Sequence, residues 1–183
     1  MSDRLFGNLQ IDTVPVPGTE GTIGMCACPG GRRFQAPDYD PSIDLPRDIQ
    51  MVANQGARWL VTLMEERELD MLGVHALPLE ARRAGLDWKH LPITDMSSPT
   101  AVFEQRWEVA RSDLHEALST GQTVVLHCWA GLGRTGTIAA KLLIEFGMAP
   151  AAAILRVRDA RRGTIQSRQQ EKYVLKLKPP APQ

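Results

Sequence analysis

The sequence is poor in the features that mark secreted, membrane-spanning and nucleic-acid-binding proteins. It has only three cysteines, Cys26, Cys28 and Cys128, an odd number that builds no disulfide framework and favours a reducing compartment. Lys and Arg together number 21, as do Asp and Glu, so no excess charge attracts a polyanion. The N-terminus lacks the apolar core of a secretory signal, and no run approaches the ~18 apolar residues of a membrane span. We therefore expect a cytoplasmic protein with no nucleic-acid or membrane partner.

The length and patterning of the chain indicate one α/β domain. We expect residues 1–20 to form an extended lead-in, residues 21–178 to form the domain and residues 179–183 to form a Pro-rich tail. Strands that alternate with helices predict a central, mainly parallel sheet flanked by helices, which binds ligands at the carboxyl ends of its strands. The predicted strands are 22–28, 59–64, 87–92 and 123–126, and the main predicted helices are 101–119, 135–146, 150–161 and 166–177.

One nine-residue string follows a predicted buried strand and leads into a predicted helix. In such a unit the N–H groups of the loop converge beside the helix N-terminus, where the helix dipole also favours an anion. Gly131 and Gly133 permit the tight curl that aims these N–H groups inward. The sequence therefore predicts an anion-binding loop over residues 129–134. The whole string is His127-Cys128-Trp129-Ala130-Gly131-Leu132-Gly133-Arg134-Thr135.

Three side chains of this string suggest phosphate chemistry. A thiol at Cys128 that faces N–H groups and an arginine should act as a thiolate at neutral pH. Arg134 offers a planar fork that suits two phosphate oxygens. Thr135 can donate a hydrogen bond to the sulfur and stabilise the thiolate as it leaves a phosphorylated intermediate. The alternative, that Cys128 is one more buried cysteine, leaves the arginine, the threonine and the two glycines unexplained.

The string resembles the signature of the protein tyrosine phosphatase superfamily, which is His-Cys, five residues, Arg, and Ser or Thr. The short chain is similar to the dual-specificity branch of that superfamily. Further pieces, residues 24–30 and 158–166 together with Gln170, resemble the cyclin-dependent kinase inhibitor 3 type, the kinase-associated phosphatases. The resemblance implies the cysteine-phosphatase fold and a phosphocysteine intermediate at Cys128. It implies no cofactor and no metal.

The same resemblance implies a general acid and several supporting groups. Family members protonate the leaving oxygen with an aspartate upstream of the cysteine, and Asp95 lies 33 positions before Cys128. A capping role is the alternative for Asp95. A glutamine in this region positions the hydrolytic water in related phosphatases, and Gln166 and Gln170 should share one helix face; the alternative is that they are ordinary surface residues. His127 should orient the loop and the cysteine through hydrogen bonds.

Two further groups of residues each keep two interpretations. Cys26 and Cys28 should share a strand face, either as buried structural cysteines or as resolving thiols that form a disulfide with oxidised Cys128. A run of arginines lies towards the end of the chain, either as a solvated helix face or as a surface that draws acidic or phosphorylated substrates. This run consists of Arg156, Arg158, Arg161, Arg162 and Arg168.

The interior of the loop bears on the substrate. Residues 129–133 include no Lys or Arg, whereas phosphoinositide phosphatases of the superfamily tend to carry extra basic residues there. We therefore expect a monomeric enzyme that acts on proteins phosphorylated at tyrosine and/or serine/threonine. The alternatives are a non-protein phosphomonoester substrate, sulfur transfer or arsenate reduction at the same thiol, and an inactive phosphate-binding module.

Overall fold

A five-stranded sheet forms the centre of the residues that the computed structural model describes, 8–31 and 38–181. All neighbouring strands run parallel except the first, which pairs antiparallel with the second. The predicted α/β fold with a central, mainly parallel sheet is confirmed. The strands are β1 (Asp12–Pro15), β2 (Thr22–Ala27), β3 (Ala57–Thr62), β4 (Asp87–His90) and β5 (Thr123–Cys128), in the spatial order β1-β2-β5-β3-β4.

Helices flank this sheet. They are α1 (Pro41–Asn54), α2 (Glu66–Met71), α3 (Leu77–Arg83), α4 (Ala101–Ser119), α5 (Gly133–Glu145), α6 (Pro150–Ala160) and α7 (Arg168–Lys176). Helices α5, α6 and α7 pack on one another near β1, β2 and β5, whereas α1 and α3 pack together beside β3 and β4. Their apolar faces and the sheet form one buried core, which stabilises the fold. No helix within the two described ranges is long and apolar enough to cross a membrane.

The edge strand β1 lies in the segment predicted as an extended lead-in. Val14 of β1 is opposite Ile23 of β2 and is fully buried in the common core. Pro15 is compatible with an edge strand, where a residue without an N–H leaves no central ladder bond unmade. The sheet therefore begins before residue 21. Residues 1–7 of the predicted lead-in and 182–183 of the predicted tail lie outside the described residues.

The central strand β5 leads directly into the signature string. It pairs in parallel with β2 on one side and β3 on the other, and Cys128 is opposite Ala27. The strand extends two residues beyond the predicted 123–126, because backbone pairing continues where the apolar run stops. Helix α5 begins at Gly133 rather than at Thr135. Cys128 is thereby placed at the carboxyl end of the central strand, where parallel sheets bind ligands.

Candidate active site

The loop between β5 and α5 has the predicted strand–loop–helix arrangement and curls at Gly131. This residue has a φ of +70°, and a Cβ added to it would lie 2.1 Å from the carbonyl oxygen of Cys26 in β2. The left-handed backbone favours glycine, and the close approach of the neighbouring strand leaves no room for a side chain. The loop therefore packs directly on the backbone of β2.

Carbonyl oxygens of this loop are bound on its outer side. The oxygen of Trp129 accepts from the N–H of Cys28 at 3.1 Å, and the oxygen of Leu132 accepts from the N–H groups of Gly136 at 2.9 Å and Ile165 at 3.3 Å. The C=O and N–H bonds of one planar trans peptide unit point in opposite directions. The N–H partners of these carbonyls are therefore directed away from the outer side, which is the arrangement that an anion at the start of α5 requires.

Cys128 and Thr135 are both buried around this loop. Cys128 is 3% exposed and Thr135 is fully buried. The hydroxyl of Thr135 has no hydrogen-bond partner among the described residues. A buried hydroxyl without a partner is unfavourable, so it marks a place where a ligand or an ionised neighbour can supply one. Thr135 is thus available for the predicted hydrogen bond to the sulfur.

Arg134 is buried and held along one edge of its guanidinium. Glu68 binds this edge with both carboxylate oxygens, at 2.6 Å from Nη1 and 2.8 Å from Nη2, and the carbonyl of Ile93 accepts from Nη1 at 3.1 Å. Burial opposes the positive charge, but the hydrogen bonds of Glu68 and the neighbouring groups Cys128, Glu68 and Asp95 together outweigh it and raise the pKa of Arg134 above its usual value. Its Nε has no partner among the described residues. The arginine is therefore charged and keeps one buried donor open.

Asp95 contacts the same guanidinium at Nη2. Its Oδ1 is 3.0 Å from Nη2 of Arg134, and its side chain is 64% exposed. The loop that carries Asp95 follows β4 and turns at Met96, whose φ is +58°. The structure thus brings the predicted acid to the predicted phosphate-binding arginine, on the side that is open to solvent.

The two glutamines lie beside the loop, but the prediction that they share a helix face is wrong. Ser167 is the N-cap of α7, so Gln166 precedes the helix. Gln170 is buried, accepts from the N–H groups of Gln166 and Ser167 at 2.9 and 3.1 Å, and donates to the carbonyl of Ser97 at 3.3 Å. A Cβ added to Gly133 would lie 2.9 Å from Oε1 of Gln166 and 3.0 Å from Nε2 of Gln170. Gln170 is therefore occupied by the backbone, whereas Gln166 is exposed at the rim of the loop.

His127 is buried and is linked through Thr62 of β3 to Trp88 of β4. Its Nε2 is 2.7 Å from Oγ1 of Thr62, and this oxygen also accepts from Nε1 of Trp88 at 2.9 Å. Because Trp88 can only donate, Thr62 accepts this bond and its hydroxyl can still share a hydrogen bond with Nε2 of His127. Burial lowers the pKa of His127 to about 3, so the ring is neutral at neutral pH. The chain of Trp88, Thr62 and His127 thus orients the ring that precedes Cys128.

The buried neutral ring of His127 should make the fold sensitive to acid. Its folded pKa lies below the ordinary value of 6.5, so below that pH the unfolded chain binds a proton that the folded chain does not. Stability is therefore complete above the ordinary value and falls as the pH drops towards the folded pKa, by about 2 kcal/mol by the time the pH reaches about 5. Denaturant unfolding of wild type and His127→Gln at several pH values measures this loss. We expect a smaller acid loss in the variant, and equal losses would contradict the expectation.

Comparison with known proteins agrees with this geometry. A family model described as "Polymorphic toxin system, DSP-PTPase phosphatase" matches residues 39–148, which include both the Asp95 loop and the Cys128 loop. The chain belongs to this DSP-PTPase phosphatase family. The predicted resemblance to the dual-specificity branch of the cysteine phosphatases is thereby confirmed.

Two relatives and one solved structure illustrate the similarity of this DSP-PTPase phosphatase to known proteins. "Cyclin-dependent kinase inhibitor 3" of Rattus norvegicus is 28% identical over 171 residues, which cover 91% of this chain and 77% of the relative. "Probable protein tyrosine phosphatase type IVA A" of Dictyostelium discoideum is 35% identical over 92 residues, which cover 50% of this chain and only 54% of the relative. A crystal structure of kinase associated phosphatase, with its catalytic-site cysteine replaced by serine, has a TM-score of 0.77 at 23% identity and covers 92% of this chain and 93% of that one. The predicted cysteine-phosphatase fold is confirmed.

Glu68 is a residue of this DSP-PTPase phosphatase site that no motif in the sequence indicates. It is the third residue of the short helix α2 and also accepts from the N–H of Glu65 at 2.8 Å, which completes a capping box. A glutamate in this place is typical of helix starts. The local pattern therefore explains Glu68 as a cap, and its pairing with Arg134 depends on tertiary structure alone.

The arginines of the run fall into two groups in this phosphatase: some bind backbone carbonyls and the others are exposed to solvent. Arg158 donates to the carbonyls of Thr164 and Ile165, both at 3.2 Å, and Arg161 donates to the loop and to Asp12. These two arginines therefore brace backbone, which neither interpretation of the run anticipates. The exposed members of the run are Arg156, Arg162 and Arg168.

Cys26 and Cys28 are both fully buried. Burial raises the pKa of Cys26 to about 12 and raises that of Cys28 well above its usual value. A thiol that keeps its proton attacks an oxidised sulfur poorly. The structure of this phosphatase therefore favours the interpretation of these residues as buried structural cysteines.

Proposed function

We propose that this phosphatase hydrolyses phosphotyrosine and/or phosphoserine/threonine on proteins, through a phosphocysteine at Cys128. The main support for the proposal is the charge and the hydrogen bonding of the Arg134 guanidinium. Glu68 neutralises one edge of the buried guanidinium, while Nε on the other edge has no partner among the described residues. A planar, charged fork with an open donor suits a tetrahedral oxyanion.

The contact between Asp95 and Arg134 indicates where that oxyanion would bind. Its carboxylate contacts Nη2 of Arg134, the donor that shares an edge with the open Nε. Carboxylate and phosphate oxygens bind an arginine edge in the same planar geometry. A phosphate bound to this edge would displace the carboxylate of Asp95 and leave it beside the ester oxygen, where an acid is needed.

The first chemical step transfers the phosphoryl group to the protein. The thiolate of Cys128 attacks phosphorus, so that an S–P bond forms as the P–O bond to the leaving group breaks. The loop amides and Arg134 bind the phosphoryl oxygens, where negative charge is concentrated. Asp95 gives its proton to the departing oxygen, so that an alcohol leaves instead of an alkoxide.

The second step returns the enzyme to its starting state. Asp95, now a carboxylate, accepts a proton from water while the water oxygen bonds to phosphorus and the S–P bond breaks. Gln166 at the rim of the loop orients this water. Gln170 lies beside Gly133 and keeps this part of the loop in place. Thr135 donates to the sulfur as the thiolate re-forms. Inorganic phosphate is the product.

The proposal also covers the substrate, the cellular location and the oligomeric state. Residues 129–133 include no Lys or Arg, which favours a phosphoprotein over a phosphoinositide. The names of the relatives, a protein tyrosine phosphatase and a cyclin-dependent kinase inhibitor, support a protein substrate. We place the enzyme in the cytoplasm as a monomer that uses no cofactor.

Hydrolysis of an aryl phosphate in the presence of a metal chelator tests the proposed function. We expect turnover that vanadate inhibits, followed by turnover of phosphotyrosine and phosphoserine peptides in preference to vesicles that contain a phosphoinositide. Absence of aryl phosphate hydrolysis would overturn the proposal of an active phosphatase. Preference for the vesicles would overturn the proposal of a protein substrate.

Asp95→Asn should slow substrates with poor leaving groups far more than substrates with good ones. A good leaving group departs without a proton, so it gains little from the acid, whereas a poor one should lose about 10²–10⁴-fold in kcat. Turnover of a series of aryl phosphates of graded leaving-group acidity measures this difference. Asp159→Asn, an exposed aspartate on α6, is the matched control and should leave the series unchanged. Equal slowing across the series would remove Asp95 from the role of acid.

A further inference from the structure

One guanidinium from outside the phosphate-binding loop donates hydrogen bonds to two carbonyl groups of that loop. Arg161, the C-cap residue of α6, donates from Nε to the carbonyl of Gly131 at 2.7 Å and from Nη2 to the carbonyl of Ala130 at 3.1 Å. Its Nη1 is 2.6 Å from Oδ2 of Asp12 in β1. The side chains of Arg161 and Asp12 are only 14% and 19% exposed. A partly buried ion pair thus ties the edge strand to the arginine that holds the loop.

The two bound carbonyls determine the direction of two N–H groups. The carbonyl of Ala130 belongs to the same planar peptide unit as the N–H of Gly131, and the carbonyl of Gly131 to that of Leu132. Because Arg161 holds the oxygen ends on the outer side, both N–H groups point inward. A positive charge at the oxygen end of a peptide dipole also strengthens the N–H at its other end as a donor. Arg161 can therefore act on a bound anion without contacting it.

A second contact constrains the same loop residue. Gly131 lies so close to the Cys26 carbonyl of β2 that a Cβ would approach it to 2.1 Å. Gly131 is therefore held both by the guanidinium of Arg161 and by the backbone of β2. Loss of the guanidinium would remove the donor that fixes the carbonyls of Ala130 and Gly131, and with it this constraint on the direction of their peptide units.

We infer that Arg161, anchored by Asp12, is a positioning residue for the oxyanion site of this enzyme, which it serves by orienting and polarising the amides of Gly131 and Leu132. This inference rests on the proposed function, since it assigns those amides to the phosphate. It makes β1 a part of the active-site support, although Asp12 is far from Cys128 in the sequence. It also gives Arg161 a role that the exposed arginines near it in the sequence do not have.

A neighbouring arginine provides a matched control. Arg158 also donates to two backbone carbonyls, those of Thr164 and Ile165, and its Nη2 is 3.4 Å from a carboxylate oxygen of Glu171. The two arginines thus brace backbone in the same manner. Among the described contacts, Arg158 itself makes none with residues 129–134, and it lies one residue further from the loop, since the N–H of Ile165 binds the carbonyl of Leu132.

Calorimetric binding of tungstate, a tetrahedral oxyanion, tests the inference in the Cys128→Ser background. We expect Arg161→Met to weaken tungstate binding about tenfold, less than the loss of a direct donor, because it acts through two amides. Arg158→Met should leave tungstate affinity within about twofold, although both changes lower the melting temperature. Equal tungstate affinities in the Arg161→Met and Arg158→Met proteins would overturn the inference.

A second variant covers the case in which Arg161→Met does not fold. Asp12→Asn keeps the size of the anchor and removes its charge, and we expect a loss of about threefold in tungstate affinity. Unchanged affinity in Asp12→Asn would overturn the role of the anchor. Since tungstate binding does not require turnover, failure of the aryl phosphate assay would reject the proposed function and leave this measurement to decide the inference separately.

Discussion

Replacing Cys128 by serine should abolish turnover and leave the loop able to bind oxyanions. A serine hydroxyl is not ionised at neutral pH, so the variant lacks the nucleophile of the proposed phosphocysteine mechanism. Loss of a covalent nucleophile reduces kcat by at least about 10⁴-fold in enzymes of this kind. Oxygen is smaller than the sulfur that it replaces and fits in the same place, so β5, the loop and α5 should keep their arrangement.

Cys26→Ser is the matched control for this variant. Cys26 is fully buried on the neighbouring strand β2, and burial raises its pKa to about 12, so it holds no thiolate at neutral pH. We expect it to retain activity within a few-fold of wild type. Aryl phosphate turnover and tungstate binding by both variants decide the matter. Activity that survives in Cys128→Ser, or is lost equally in both proteins, would remove Cys128 from the mechanism.

The centre of the site could be predicted because its determinants are local. A buried strand, a glycine at the point of closest approach and a helix start occupy consecutive positions of the chain. Gly131 illustrates this, since glycine is the one residue type that permits both its left-handed backbone and its close contact with β2. Cys128 and Arg134 then take their places because the strand and helix that flank them are fixed.

The supporting groups could not be predicted because their partners are distant in sequence. Glu68 lies 66 positions before Arg134, and Asp12 lies 149 positions before Arg161. A glutamate near a helix start and an arginine within a basic run each have a sufficient local explanation. Periodicity and spacing therefore point to capping and solvation, and the pairings appear only when the sheet brings the segments together.

The start of α7 is a different kind of error, since its signal is present in the sequence. Ser167 followed three residues later by Gln170 is a capping box, and it places the helix start after Gln166. Apolar periodicity alone extends the helix too far towards the N-terminus. The consequence for function is specific: Gln170 is bound to backbone as a cap, and Gln166 is left at the rim of the loop.

Arg134→Lys should reduce kcat/KM by about 10³-fold, although it conserves the charge. Lysine has no planar fork, so it cannot hold both oxygens of Glu68 and present a second edge to phosphate. The buried carboxylate of Glu68 would lose one of its two guanidinium bonds, which at present measure 2.6 and 2.8 Å. The effect should appear in tungstate affinity as well as in turnover, because the proposed mechanism has Arg134 bind the phosphoryl group in both the ground state and the transition state.

A partial unfolding of the Arg134→Lys protein would also lower activity, so stability and binding must be measured together. Arg158→Lys is the matched control, since it exchanges a partly buried arginine that also faces a glutamate. If geometry at the phosphate is the cause, tungstate binding by Arg134→Lys stays weak at temperatures where the protein is fully folded, and Arg158→Lys binds normally. A folded Arg134→Lys protein with near-normal kcat/KM would show that charge alone suffices at this position. The open Nε of Arg134 would then have no part in the chemistry.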